Sequence, residues 1–119
     1  MKNLFAFYGS FRFGLSNHMA YASFLKYRFS AWIKGYEMYS FGDFPFAIRT
    51  DESVDKILVE VFEIENAEVR MQIDQLEHGY GYHKETIVIE EQSVTIYLFK
   101  EKANYPKVNE GDWVKFFRV

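Results

Sequence analysis

Apolar residues run unbroken through Leu4-Phe5-Ala6-Phe7-Tyr8 and stop at Gly9-Ser10. A short apolar run closed by a turn predicts a buried strand over residues 3–8. Residues 11–16, with Gly14 among them, read as a loop. Asn17 is suited to cap a helix of about ten residues, with Met19, Ala22, Phe24 and Leu25 among its apolar positions. From 28 to 41 the pattern turns strand-like, carried by Trp32, Ile33, Tyr36, Tyr39 and Phe41. Gly42-Asp43-Phe44-Pro45 then reads as a loop, because a proline disfavours regular structure at the residue before it.

Over 56–64, Ile57, Val59 and Val61 alternate with polar positions, and Phe62 and Ile64 follow with a break in phase. That predicts a half-buried strand. Asn66 is placed to cap a second helix over 67–78, and Gly79 suits its stop. Residues 82–90 and 94–100 predict a hairpin around Glu91-Gln92-Ser93. Asn109-Glu110-Gly111-Asp112 reads as a turn, with a short strand over 113–117. Strand, helix, strands, helix, strands predicts an α+β fold: a small mixed sheet, curved and barrel-like, with two main helices. At 119 residues the chain is expected to be a single domain, 1–119.

Composition narrows the chemistry. Aromatic residues make up 20% of the chain against only 2 prolines, which argues against disorder. With 0 cysteines, neither a disulfide framework nor a thiol nucleophile is available. Such aromatics are expected mainly in the core. The net charge is −3, with no basic run, so nucleic acid is not an expected partner. The apolar run at the N-terminus falls short of the roughly 7–15 residues of a secretion signal core. No stretch approaches the ~18 apolar residues of a membrane span. The expectation is a soluble cytoplasmic protein with a small-molecule partner, or a second copy of itself in a homodimer.

The second helix carries the most informative residue. At about 100° per residue, Val69, Ile73, Leu76 and (if the helix reaches it) Tyr80 fall within about 40° of one another and form the buried stripe. Glu77 lies on its margin, and Asp74 lies further toward solvent. Partial burial and the negative end of the helix dipole both raise a carboxyl pKa, which suits a general base near neutral pH. A glutamate that merely hydrogen-bonds a neighbouring tyrosine fits the same pattern. Gly9-Ser10 at the end of the first strand is a second candidate. Backbone N–H groups in such a turn can face an anion or a developing oxyanion; an ordinary strand-ending turn explains it equally. Ser10 lacks the G-x-S-x-G setting of a triad nucleophile. His18, His78 and His83 form no zinc motif, and Glu77 and His78 diverge by about 100° on the helix, so no metal site is expected.

Several motifs together resemble a known family. Tyr8-Gly9-Ser10-Phe11-Arg12-Phe13-Gly14 followed by Asn17 is similar to the Y-G-[ST]-L-[KR]-x-G…N opening of the γ-glutamylcyclotransferase-like superfamily, in its γ-glutamylamine cyclotransferase (AIG2-like) branch. Gly35-Tyr36, Met38-Tyr39 and Gly42-x-x-Pro45 resemble its G-Y-x-[LM]-Y…G-x-[FY]-P segment. Glu60-Val61-Phe62-Glu63-Ile64, Ile73-Asp74-Gln75-Leu76-Glu77 with Tyr82, and Gly111-Asp112-Trp113 resemble later motifs in the same order. Phe11 stands where leucine is usual, Val59 where many members have glycine, Lys84 where arginine is frequent, and His78 where glycine often follows the glutamate.

The resemblance implies a small barrel-like mixed sheet with packed helices. It implies Glu77 as the catalytic carboxylate, Tyr8, Gly9, Ser10 and Phe11 as the substrate-binding loop, and Tyr82 as a pocket wall. The implied reaction is a cyclotransferase step that turns a γ-glutamyl amine or γ-glutamyl amino acid into 5-oxoproline and free amine. It needs no metal or organic cofactor. Two other readings stand beside it: a non-catalytic binding module for a small carboxylate or γ-glutamyl-like metabolite, and an interaction protein that dimerises through an aromatic face.

Overall fold

A computed structural model describes residues 3–117. Its centre is an open five-stranded sheet in the order β2-β5-β1-β7-β6, where β1 is Leu4–Phe7, β2 Lys26–Lys34, β5 Lys56–Glu63, β6 His83–Ile89 and β7 Gln92–Leu98. A second, two-stranded sheet pairs β3 (Tyr36–Ser40) with β4 (Pro45–Arg49). The helices are α1 (Ser16–Tyr21), continued by a 3-10 turn Ala22–Phe24, then α2 (Ala67–Gly79) and α3 (Trp113–Phe117). The fold is α+β, and the curved sheet does not close: β2 and β6 remain its outer strands among the described residues.

Strand alternation builds two cores, one on each face of the sheet. Leu4, Ala6 and Tyr8 of the first strand segment pack with Val59, Val61, Val94, Ile96 and Trp113 on one side. Phe5 and Phe7 point the other way and pack with Phe62, Ile64, Val69 and Ile73. β1 lies between β5, antiparallel, and β7, parallel, which is why its sequence is apolar without alternation. The break in phase in β5 has the same origin. Ile57, Val59 and Val61 serve one core, and the opposite face is buried from Glu60 onward, with Phe62 and Ile64 in the second core.

Three expectations are corrected and one, the strand-like stretch, is refined. The first helix begins at Ser16, preceded by Leu15 without a side-chain cap. Asn17 instead donates from Nδ2 to Ser10 Oγ at 2.7 Å. The strand-like stretch 28–41 is two strands of different sheets, divided at Gly35, whose carbonyl accepts from Thr50 N at 2.8 Å and whose amide donates to Asp55 O at 3.0 Å. Pro45, expected in a loop, opens β4 at a strand's first residue, a position that tolerates its missing N–H. Residues 113–117 are helical, with Trp113 buried and stacked on Phe116 and Phe117. Most aromatic residues are buried in the two cores or packed against them, as expected, while Phe13, Tyr27, Trp32 and Tyr80 are each about half exposed.

Candidate active site

The end of β1 passes into a loop that reaches α1. Gly9 O accepts from Arg12 N at 2.9 Å, and Ser10 O accepts from Asn17 N and His18 N at 3.1 Å each, so the loop folds back on itself. The amides of Gly9, Ser10 and Phe11 donate to no backbone acceptor among the described residues. Gly9 is required by a close approach: a Cβ there would meet Pro45 Cγ at 2.8 Å. Phe11 is buried and stacks on Phe7 with ring centroids 4.6 Å apart.

Arg12 anchors this loop from below. It is buried; its Nε donates to Glu60 Oε2 at 2.9 Å and its NH1 group to Asp112 Oδ1 at 2.7 Å. Glu60 Oε1 also accepts from Phe13 N at 2.8 Å. Burial alone would raise the Asp112 carboxyl, but the Arg12 guanidinium and the amides of the α3 turn hold it below its ordinary value. The loop is thereby tied to β5 and to the turn before α3.

On the facing side, α2 is capped by Asn66, whose side chain accepts from Val69 N at 3.0 Å. The helix buries Val69 and Ile73 and leaves Leu76 and Glu77 partly covered at its C-terminal end. Glu77 takes part in no side-chain hydrogen bond or ion pair among the described residues, and it lines a cavity against the loop. Burial pushes its carboxyl up to about 7. Tyr80 lies past the last helical residue, Gly79, so it leaves the predicted stripe and is 52% exposed.

Tyrosines wall the cavity and their hydroxyls are committed. Tyr8 donates to Tyr97 O at 2.6 Å and accepts from Ala47 N at 3.1 Å. Tyr82 donates to Pro45 O, and Tyr97 donates to Asp74. All three hydroxyls are held well above the usual tyrosine value, first by burial; nearby Glu77 adds to this for each. Asp74 also accepts from Lys84 at 3.1 Å, so this second helix carboxylate is spent on structure.

All six residues singled out in the sequence, Tyr8, Gly9, Ser10, Phe11, Glu77 and Tyr82, line this one cavity. Sequence reasoning missed Phe44, Tyr97 and Leu76 as lining residues and missed the Arg12 clamp. Phe44-Pro45 was visible as a turn signal, and Arg12 as a lone basic residue in an apolar stretch, but neither pattern names its partner. No three His, Asp or Glu side chains converge among the described residues. Nor is any described helix long and apolar enough to cross a membrane.

A loop whose 9–11 amides make no backbone bond lines one cavity with a lone, partly buried carboxylate on an α+β scaffold, a small-ligand pocket equipped for proton transfer. The family of γ-glutamyl cyclotransferase, AIG2-like proteins matches over residues 5–115, so the chain belongs to that family. An uncharacterised protein from Pyrococcus horikoshii is similar in structure, with a TM-score of 0.82 at 26% identity over 98% of this chain and 93% of that one. YkqA from Bacillus subtilis reaches a TM-score of 0.77 at 28% identity, over 97% of this chain and 40% of its own. An AIG2-like protein from Mus musculus shares the fold, with a TM-score of 0.68 at 16% identity over 87% of this chain and 80% of that one. No curated protein sequence matched the chain.

Proposed function

We propose that the protein is a cyclotransferase that closes a γ-glutamyl group on itself, releasing 5-oxoproline and a free amine. The observation that carries the reading is Glu77: a carboxylate without a partner, lifted to about 7 by burial, in a cavity shared with residues 9–11. Family membership supports the reaction class.

In this mechanism the substrate's α-amine attacks its own γ-carbonyl carbon. The α-ammonium must first lose a proton, and Glu77 takes it. A carbon–nitrogen bond forms to the α-amine, and the bond to the leaving nitrogen breaks. Glu77 passes this proton to that nitrogen, and relays to it in turn the second proton that the α-nitrogen sheds as the ring closes, so the products are a lactam N–H and an ammonium and no co-reactant is needed. A pKa near neutrality serves both transfers. The amides of the 9–11 loop hold the α-carboxylate or polarise the γ-carbonyl. Because both reacting atoms belong to one molecule, the pocket's main task is to hold a folded conformer.

The test is 5-oxoproline release from a panel of γ-glutamyl amides by the wild type and by Glu77→Gln. The proposal expects turnover by the wild type and a loss of at least about a hundredfold in the variant, the usual scale for a general base. Full release by Glu77→Gln overturns the assignment of the base. Ligand-induced thermal stabilisation without product from any substrate favours the non-catalytic binding module instead.

A further inference from the structure

The cavity has a tyrosine wall, and the part of its rim formed by the β3–β4 turn and the end of α2 is apolar, whereas Ser10 and Asn17 line the side toward α1. Its buried wall is Tyr8, Tyr82 and Tyr97, whose hydroxyls are already bonded within the protein. Toward solvent its lining ends in Phe44 and Tyr80, with ring centroids 5.2 Å apart, and beside them in the partly exposed Leu76. Phe44 comes from the turn between β3 and β4, and Tyr80 from the end of α2. They come from elements far apart in sequence and pack against one another at the partly exposed end of the lining.

Charge completes the picture. Among the described residues, Glu77 is the only ionisable acid or base other than tyrosine in the lining, and no lysine, arginine or histidine lines the cavity. The nearby Lys84 is paired with Asp74 in a separate notch behind Tyr82 and Tyr97. With a γ-glutamyl group seated at residues 9–11 and its γ-carbonyl near Glu77, a leaving group directed toward the end of α2 passes Phe44 and Tyr80. A leaving group with its own carboxylate would be desolvated between aromatic rings, near a second carboxylate, with no cation to meet it. An apolar leaving group would bury its surface on those rings.

Resting on the cyclotransferase reading, we propose that the amine released here is apolar, an aralkyl or branched alkyl amine rather than an amino acid, and that Phe44 and Tyr80 select it. The two aromatic side chains are specificity-determining residues, and Glu77 with the 9–11 loop handles the γ-glutamyl end that all substrates share.

The experiment compares γ-glutamyl-phenethylamide and γ-glutamyl-isoamylamide with γ-glutamyl-alanine and Nε-(γ-glutamyl)-lysine. Two quantities are read: kcat/KM for 5-oxoproline in the wild type, and calorimetric binding to Glu77→Gln. The expected preference for the two apolar amides is about tenfold or more, the usual scale for filling an apolar subsite. Phe44→Ala and Tyr80→Ala should each shrink that ratio toward one, with circular dichroism confirming the fold. Equal or faster turnover of the alanine or lysine compound overturns the proposal, as does an unchanged ratio in both variants. A binding preference for the apolar amides without turnover of any leaves the rim's selectivity standing and overturns the cyclotransferase reading alone.

Discussion

Glu77 holds its proton longer than a solvent-facing glutamate because α2 sets it at the edge of an apolar stripe, opposite a tyrosine wall. This has a cost in stability. Its carboxyl is raised from 4.5 to about 7, so the native state binds the proton more tightly than the unfolded chain does. The favourable contribution is complete below the unfolded value and is lost as pH rises through about 7. Glu77→Gln removes the ionisable group, so its stability relative to the wild type should increase between about pH 4.5 and 8, by up to about 3 kcal/mol. Thermal unfolding at several pH values checks this, and an offset that does not vary with pH contradicts it. Periodicity alone was enough to place Glu77 on that margin, because α2 is a capped helix of regular phase. Arg12 was not legible in the same way. Its partners Glu60 and Asp112 lie 48 and 100 positions away, a distance no local pattern spans.

Among the elements, α2, β1, β5 and the β6–β7 hairpin follow local rules, and their positions were readable from apolar spacing. The misread elements are those that tertiary packing decides. β4 begins at a proline, and its register is set by Tyr39↔Phe46 and its neighbours on β3. Residues 113–117 are too short to show a period, and they are helical because Trp113 fills the core. The turn before α3 is where one substitution acts most strongly. Gly111 has φ +67, and a Cβ there would lie 2.1 Å from Lys56 O. Gly111→Ala should therefore separate the turn from β5, break the Leu58 N to Gly111 O bond, and destabilise by more than about 2 kcal/mol in urea titration. Arg12→Met leaves Glu60 and Asp112 facing one another without their cation. It should cost about 3–5 kcal/mol, with Arg12→Lys recovering part of the loss. A Met variant as stable as the wild type would show that the clamp does not hold the loop.

At the scale of the whole molecule, the two cores share β1, β5 and β7, which are covered on both faces, whereas β2 and β6 carry alternating exposed residues at the sheet's edges. Hydrogen exchange should be slowest in β1, β5 and β7 and faster along β2 and β6; uniform protection across all five strands would contradict this division. The pocket sits where β1, a strand buried at all four residues, hands over to the loop at Gly9, and Tyr80 on its other side lies on a more exposed element. The α+β class was legible in the order of elements. The open sheet was not, because closure depends on whether β2 and β6 meet, and each strand's own sequence is silent on that.

The central claim is that Glu77 is the base for γ-glutamyl ring closure, and the pH dependence of kcat/KM for 5-oxoproline release tests it most directly. A base must be deprotonated to act, so the account predicts activity that rises with pH and reaches half its plateau near the Glu77 value of about 7, with the whole profile lost in Glu77→Gln. A rise centred near the ordinary glutamate value of 4.5, or a Glu77→Gln enzyme that keeps the wild-type profile, would contradict it.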